Sequence, residues 1–189
     1  MIDRFLDSKK FIPDYHVNTI YDLDFAAIKK SGIRLLLIDV DNTLIPYDKF
    51  SADEALIELM ERLKTLGFFI VFVSNNRFHR IRFFAKPLNI SFVSNAKKPL
   101  KRGFKKAMRF YEKPVAKTEV LVIGDQLMTD VYGAKRTGLK VALVTPIKLK
   151  TERWYTRINR KVEQKMLQKI KLNHASKYET LNLKKRVRP

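Results

Sequence analysis

Carboxylate side chains directly follow one of the short apolar runs in this sequence. Asp39 and Asp41 come immediately after the run Leu35 to Ile38. Because residues two positions apart in an extended stretch share a face, both side chains can reach one site. One carboxylate could then attack a substrate while the other transfers protons. On its own, an Asp-X-Asp pair at a strand end is often only a turn with capping aspartates.

Three later clusters add polar groups that also follow apolar runs. In chain order they are Ser74 with Asn75, then Lys98, then Asp125 with Asp130. Taken singly, each is ordinary loop chemistry. Taken together they indicate a site, because the carboxyl ends of parallel strands meet at one sheet edge, where ligands of open α/β proteins bind. Lys98 stands before Pro99, at the expected start of the next helix, with Lys97 beside it.

The elements that must position these residues alternate short apolar runs with segments of helical period. This alternation predicts an α/β fold with a mainly parallel sheet. Five strands are expected, at residues 34–38, 68–73, 90–93, 120–123 and 140–144. Helices are expected at residues 52–66, 77–87, 100–112 and 129–137. Ser51 is the expected N-cap of the first of these helices, and Thr19 or Asp22 is expected to cap a further helix that ends near Gly32.

The composition indicates one basic globular domain. The chain has 189 residues, a net charge of +20 and no cysteine, which excludes disulfides and cysteine-ligated zinc. No apolar stretch is long enough for a signal peptide or a membrane span, so a cytoplasmic protein without a transmembrane segment is expected. The positive charge favours polyanionic partners, namely nucleic acid, anionic membrane or phosphorylated substrates, unless it is only a solvated surface.

The positive charge is concentrated in residues 146–189, which hold fourteen basic and three acidic residues. We therefore expect one domain at residues 1–145, with its catalytic core at 33–145, followed by a basic helical extension at 146–189. Apolar residues recur there every fourth position, at Trp154, Ile158, Val162, Met166 and Ile170. Cations stand among them, at Arg153, Arg157, Arg160, Lys161, Lys165 and Lys169. The predicted amphipathic helix either docks on the core or meets membrane headgroups or nucleic acid.

A second basic array is predicted on the helix at residues 100–112. Its cations would form one continuous face, consisting of Lys98, Lys101, Arg102, Lys105, Lys106 and Arg109. The opposite side would pack on the sheet through Leu100, Phe104, Ala107, Met108 and Tyr111. The basic face is either solvated or turned toward an anionic surface.

The order of these strand-end residues carries a family resemblance. Residues 33–145, with Asp39, Asp41, Ser74, Lys98, Asp125 and Asp130 in sequence, resemble the haloacid dehalogenase superfamily of phosphohydrolases. The whole chain resembles the bacterial YqeG family, which is similar to the mitochondrial phosphatidylglycerophosphate phosphatases. The resemblance implies a Rossmann-like three-layer sandwich.

The resemblance also implies a role for each site residue. Asp39 would be the nucleophile that forms an aspartyl-phosphate, and Asp41 the general acid and base. Ser74, Asn75 and Lys98 would bind the phosphoryl group. Mg²⁺ would be held by Asp39, the carbonyl of Asp41, Asp125 and Asp130, because this hard cation prefers oxygen ligands.

The chain leaves no room for the cap domain that usually closes such sites. Nine residues separate Asp41 from Ser51, and twenty-three separate Ser74 from Lys98. The substrate is therefore expected to be a phosphate on something large, such as a bilayer lipid, nucleic acid or protein. A small soluble phosphate stays open if a terminal segment folds over the site.

Three functions follow from these observations. The first is a Mg²⁺-dependent phosphatase of phosphatidylglycerophosphate, acting as a peripheral protein on the inner face of the membrane. The second is a phosphatase of nucleotides or nucleic-acid ends. The third is a non-catalytic protein that binds RNA or the ribosome, against which the full set of site residues argues.

Overall fold

Residues 7–149 and 154–186 are described in the computed structural model of the chain. Within them, six strands form one sheet in which all neighbouring strands run parallel. The strands are β1 (Tyr15–Val17), β2 (Leu35–Ile38), β3 (Phe69–Val73), β4 (Ser91–Val93), β5 (Val120–Gly124) and β6 (Lys140–Val144). Their order across the sheet is β1-β6-β5-β2-β3-β4, so β5 and β2 lie at its centre.

Helices connect these strands and follow the last of them. They are α1 (Phe25–Lys30), α2 (Glu54–Thr65), α3 (Phe78–Ala85), α4 (Lys101–Met108), α5 (Tyr132–Thr137), α6 (Trp154–Asn173) and α7 (Ala175–Thr180). One turn of π-helix at Leu127–Val131 leads into α5. Short 3-10 turns lie at Ser8–Phe11, Ile20–Asp22, Lys117–Glu119 and Leu183–Arg186.

The helices cover both faces of the sheet. Every residue of β2 is buried, and alternate side chains point to opposite faces. Leu36 and Ile38 pack in a cluster with α1, α2 and α3, whereas Leu35 and Leu37 pack in a second cluster with α4, α5, α6 and α7. The predicted α/β fold with three layers is therefore confirmed.

The sheet has one strand more than predicted. The sixth strand is β1, which pairs with β6 at the edge of the sheet. It has three residues, all only partly buried, and it lacks the continuous apolar run that marks the central strands. The other five strands lie within two residues of their predicted bounds.

Two of the predicted helix starts are wrong. Asp53, not Ser51, caps α2, because its carboxylate accepts a hydrogen bond from the Leu56 amide at 3.0 Å. The helix expected after residue 19 is split: a 3-10 turn follows Thr19, and α1 begins after Asp24, whose side chain accepts from the Ala27 amide.

The continuous basic face predicted on the helix at 100–112 is also wrong. Helix α4 has only eight residues, and Lys98 precedes it with its side chain buried. Leu100, expected to pack on the sheet, is 49% exposed. The exposed cations of α4 are Lys101, Arg102, Lys105 and Lys106. They form a shorter basic face beside the sheet edge where Lys98 lies.

The basic amphipathic helix α6 docks on the core, but through a different face from the predicted one. Met166 and Ile170 are buried as expected, whereas Ile158 is 51% exposed. A four-residue spacing drifts by about 40° per step around a helix with 3.6 residues per turn, so five such positions cannot share one face. The buried face instead includes Thr156, Arg160, Glu163, Met166, Leu167 and Ile170. The predicted cation Arg153 and the side chains of Trp154 and Arg157 lie outside the described residues.

We predict that Gly133→Ala destabilises the fold. A Cβ at Gly133 would lie 2.5 Å from a ring carbon of Phe104 and 3.1 Å from the Cα of Pro99, so α4 and α5 would have to separate. Overpacking of this kind costs about 1–3 kcal/mol. Thermal unfolding should show a lower Tm. A higher Tm would contradict the close packing, because alanine at an unhindered helical position stabilises by roughly 0.4–1 kcal/mol.

Candidate active site

The candidate site lies where the strand order reverses, at the carboxyl ends of β2 and β5. The chain leaves β2 toward α2 on one face of the sheet and leaves β5 toward α5 on the other face. The two loops therefore diverge and leave a crevice between them, which is the usual ligand position in open α/β sheets. The crevice opens into a cavity of about 490 Å³.

Three buried carboxylates meet at this crevice. Asp39 follows β2, Asp125 follows β5, and Asp130 lies in the π-helical turn. One carboxylate oxygen from each residue lies within 4.8 Å of those of the others. Gly124 makes this possible, since a Cβ at its position would collide with the Asp130 side chain. Three buried carboxylates at this spacing repel one another and form a suitable oxygen cage for a divalent cation.

Lys98 is the cation that bridges two of these carboxylates. Its Nζ lies 2.8 Å from Oδ1 of Asp39 and 2.7 Å from Oδ1 of Asp130, and the lysine side chain is 4% exposed. Burial alone would lower the pKa of Lys98, but the carboxylates of Asp130 and Asp39 outweigh it and raise the pKa. Lys98 is therefore charged. The neighbouring Lys97 is exposed.

Asn75 fixes the backbone of Lys98. Its Oδ1 accepts a hydrogen bond from the Lys98 amide at 2.7 Å, and its Nδ2 donates to the Lys98 carbonyl at 3.1 Å. The paired bonds tie the loop after β3 to the loop after β4. Asn75 also lines the cavity. Both polar atoms of its side-chain amide form hydrogen bonds with the Lys98 backbone.

Asp41 lines the same cavity and forms contacts of its own. Its Oδ1 accepts from Arg80 Nε at 2.8 Å and Nη2 at 2.5 Å. Its Oδ2 accepts from Asn76 Nδ2 at 3.3 Å and lies 3.5 Å from the Ser74 hydroxyl. Ser74 is buried and in turn accepts from the Asn76 amide at 3.0 Å. The guanidinium of Arg80 also stacks on the ring of Tyr47, 4.8 Å from its centroid.

The electrostatics of the three carboxylates depend on their cations. Burial raises the pKa of Asp39 well above its ordinary value, against the opposing charge of Lys98. Burial likewise raises the pKa of Asp125 to about 6, although the nearby Arg160 guanidinium opposes the shift. In their ionised forms the three carboxylates carry one negative charge more than Lys98 and Arg160 balance, and a bound divalent cation would stabilise those ionised forms.

Helix α6 contributes to the same cavity. Thr156 and Asn159 in its first turns line the cavity together with Met128 and Tyr132. Arg160, one helical turn after Thr156, forms a buried ion pair with the carboxylate of Asp125. The segment after β6 therefore forms one wall of the site.

The structure brings every predicted site residue to one edge of the sheet. These are Asp39, Asp41, Ser74, Asn75, Lys98, Asp125 and Asp130. The sequence interpretation missed Arg80, which contacts Asp41, and Arg160, which contacts Asp125. Asn76, the neighbour of Asn75 in the amide cluster after β3, also contacts Asp41. A signal for Arg160 was present, since Glu163 stands three positions later and could pair with it on one helix face.

The comparison with protein families decides the family. The model of the family described as mitochondrial PGP phosphatase matches residues 1–148. The chain belongs to this family. It is also 37% identical over 163 residues to the probable phosphatase YqeG of Bacillus subtilis, which covers 86% of this chain and 93% of that relative. The chain is thus a phosphatase, as its motifs predicted.

Solved structures of sugar-phosphate phosphatases are similar to the chain. The cobalt-bound deoxy-D-mannose-octulosonate 8-phosphate phosphatase of Haemophilus influenzae has a TM-score of 0.47 and 15% identity over 79% of this chain and 98% of that chain. The 3-deoxy-D-manno-octulosonate 8-phosphate phosphatase of Moraxella catarrhalis, solved with magnesium, phosphate and KDO, has a TM-score of 0.43 and 17% identity over 56% and 65% of the two chains.

The described part of the phosphatase contains no helix that could cross a bilayer, because none is both long and apolar enough.

We predict that Lys98→Met strongly destabilises the metal-free protein. The substitution leaves Asp39 and Asp130 buried without their shared cation, and breaking a buried pair in this way costs about 3–5 kcal/mol. Urea unfolding in EDTA should therefore show a lower midpoint. Lys97→Met is the matched control, since Lys97 is exposed, and it should change the midpoint little. Equal stability of the Lys98→Met and wild-type proteins would contradict the bridging role of Lys98.

Proposed function

We propose that the protein is a Mg²⁺-dependent phosphomonoesterase that hydrolyses phosphatidylglycerophosphate to phosphatidylglycerol through an aspartyl-phosphate at Asp39. The observation that carries the proposal is the cluster of Asp39, Asp125 and Asp130 beside Asp41 at the sheet edge. This arrangement combines a nucleophile, a cation site and a second carboxylate for proton transfer in one cavity.

The residues present fit a magnesium ion. Three buried carboxylates within 4.8 Å of one another supply the hard oxygen ligands that Mg²⁺ prefers. We assign Asp39, Asp125, Asp130 and the Asp41 carbonyl as its ligands. When bound, the ion would reduce the repulsion between the anionic phosphate and the anionic site.

Asp39 is the proposed nucleophile. One of its carboxylate oxygens attacks phosphorus and forms a P–O bond, while the bond from phosphorus to the ester oxygen breaks. Asp41, protonated at this stage, gives its proton to the departing alkoxide. The reaction is thereby divided into two steps, each of which has a lower barrier than direct attack by water.

Asp41 acts again in the second step. As a carboxylate it takes a proton from the water that attacks the phosphoryl group on Asp39, which releases inorganic phosphate and restores the Asp39 carboxylate. The contacts of Arg80 and Asn76 with Asp41 hold its carboxylate in position at the cavity for both steps. A positioned acid–base group of this kind contributes roughly 10² to 10⁴ in rate.

Ser74 and Lys98 are the proposed phosphate ligands. Both side chains are buried at the cavity, and both lie within 3.5 Å of a catalytic carboxylate oxygen. The lysine charge compensates that of the incoming phosphoryl oxygens. Asn75 supports this role by holding the backbone of Lys98.

A membrane lipid is the proposed substrate because of the family, the charge and the open cavity. The matching family is described by the PGP substrate. The chain carries a net charge of +20, and four exposed cations of α4 lie beside the catalytic edge. Each basic residue near an anionic leaflet contributes about 1 kcal/mol to binding. We infer that the enzyme acts as a peripheral protein on an anionic membrane surface.

We predict that Asp39→Asn abolishes turnover while the fold is kept, because an amide is a poor nucleophile toward phosphorus. Phosphate release from phosphatidylglycerophosphate would be measured, with circular dichroism as the test of folding. Asp48→Asn is the matched control, since Asp48 forms an exposed ion pair with Lys148. Substantial activity in a folded Asp39→Asn protein would exclude Asp39 as the nucleophile.

We predict that EDTA abolishes phosphate release by the wild type and that added Mg²⁺ restores it. Full activity in excess EDTA would refute the metal assignment.

We also predict that the basic face of α4 matters only for a membrane-bound substrate. The triple variant Lys101→Gln, Arg102→Gln, Lys105→Gln should lose about tenfold or more of the activity on anionic vesicles that contain phosphatidylglycerophosphate, in line with about 1 kcal/mol per charge. Hydrolysis of glycerol 3-phosphate should be unchanged. The control removes three exposed cations near the opposite, amino edge of the sheet, at Lys30, Lys113 and Lys117.

The substrate panel separates the alternatives. Phosphate release would be compared for the lipid in vesicles, a nucleoside monophosphate and a 5′-phosphorylated RNA at two salt concentrations. Faster hydrolysis of RNA ends or nucleotides than of the lipid would reject the lipid proposal. Equal losses in the α4 and amino-edge variants would reject the α4 face as the membrane contact.

A further inference from the structure

Two arginines from the segment after β6 hold Asp125. The guanidinium of Arg160 pairs with Oδ2 of Asp125, and its Nη1 donates to the Asp125 carbonyl at 2.9 Å. Arg186 Nη2 donates to the same carbonyl at 2.7 Å. Both the carboxylate and the backbone of Asp125 are therefore fixed from outside the strand that carries it.

Glu163 joins the two arginines. Its Oε2 accepts from Arg160 Nη1 at 3.1 Å, and its Oε1 accepts from Arg186 at 2.9 Å and 2.6 Å. Burial alone would raise the pKa of Glu163, but Arg186 and Arg160 outweigh it and lower the pKa. The network consists of four side chains, two positive and two negative, and each is at most 7% exposed. They are Arg160, Arg186, Glu163 and Asp125.

Docking of α6 on the core does not require these ions. Met166, Leu167 and Ile170 already give the helix a fully buried apolar face. Removing four charges from water is costly, and well-packed apolar residues in place of a buried ion network are often neutral or stabilising. Docking of the helix therefore does not explain why the ion network lies where it does. The network contacts Asp125, a carboxylate of the candidate cation site, and this contact indicates a role in that site.

The two oxygens of the Asp125 carboxylate have different surroundings. Oδ2 is held by the charged Arg160, whereas Oδ1 accepts a longer hydrogen bond from the Thr43 hydroxyl, at 3.2 Å. The arginine thus restricts rotation of the carboxylate and leaves Oδ1 in the weaker contact. Residues that hold a metal ligand in this way typically change metal affinity by about 10–100-fold when mutated.

We propose that Arg160 is a positioning residue for the cation site, which orients the carboxylate of Asp125, with Arg186 and Glu163 holding Arg160 in place. The inference rests on the proposed metal dependence. It makes α6 a functional part of the site as well as one wall of the cavity. The contact acts through Asp125, so Arg160 itself touches neither substrate nor cation.

Binding of Mn²⁺ alone tests the proposal without turnover. The full chain would be titrated with Mn²⁺, the free ion followed by electron paramagnetic resonance, and Mg²⁺ used as a competitor. Arg160→Lys keeps the charge and loses the two-pronged contact, and Arg160→Gln removes the charge. Lys161→Gln is the matched control, because Lys161 is the exposed neighbour on the same helix. We expect a Kd about 10–100-fold weaker for Arg160→Gln, a smaller loss for Arg160→Lys, and no change for Lys161→Gln.

A double variant separates positioning from general loosening of the structure. If Arg160 acts through Asp125, then Arg160→Gln should weaken Mn²⁺ binding little further in a protein that already carries Asp125→Asn. Full additivity of the two losses would overturn the proposal. Unchanged or tighter binding by a folded Arg160→Gln protein would also overturn it, and tighter binding would mean that the arginine blocks the cation.

Folding and the metal dependence itself are checked separately. Circular dichroism and thermal unfolding in EDTA report whether each variant folds, and loss of folding in both Arg160 variants would assign Arg160 a structural role instead. If the wild type fails to bind Mn²⁺ or Mg²⁺, the proposed metal dependence fails. If the wild type binds and the Arg160 variants bind equally well, only the positioning role fails.

Discussion

Mutual repulsion of three buried carboxylates is the constraint on which the rest of this structure depends. Asp39, Asp125 and Asp130 lie within 4.8 Å of one another, where their charges are poorly screened. The fold tolerates this because two cations contact the cluster, Lys98 at Asp39 and Asp130, and Arg160 at Asp125. Lys98 lies in the loop after β4 and Arg160 lies in α6. Elements far apart in sequence therefore both supply positive charge to the carboxylate cluster.

The fold was largely predictable because a strand that is buried on both faces of the sheet needs a continuous run of apolar residues, which is visible in the sequence. The central strands are continuous apolar runs, and all five predicted strands were found. The edge strand β1 could not be found in the same way, since its residues are only partly buried and its sequence is mixed. The start of α2 was missed for a local reason: Ser51 and Asp53 are both good caps, and only the backbone geometry decides between them.

The site residues likewise fall into a group that was predictable from the sequence and a group that was not. Residues placed directly after strands were predictable, because the sheet itself fixes where they meet. Arg80, Asn76 and Arg160 contact the site from helices or loops, and sequence spacing does not state which helix face turns inward. Arg160 was predicted only as one of the cations of the basic amphipathic helix, yet it is buried. A cation in a basic segment is therefore best judged by its possible partner, here Glu163, and not by the charge of its neighbours.

The distance along the chain between Asp125 and its supporting groups bears on how the protein is made. The strands that gather the three carboxylates are complete once β6 has been synthesised. Arg186, which donates to the Asp125 carbonyl, lies 61 residues after Asp125 and is synthesised later than β6. During translation the sheet can thus form while its catalytic edge still lacks these counter-charges. A nascent chain at that stage would present a strongly acidic crevice with an uncovered apolar sheet face, the one later covered by Met166, Leu167 and Ile170.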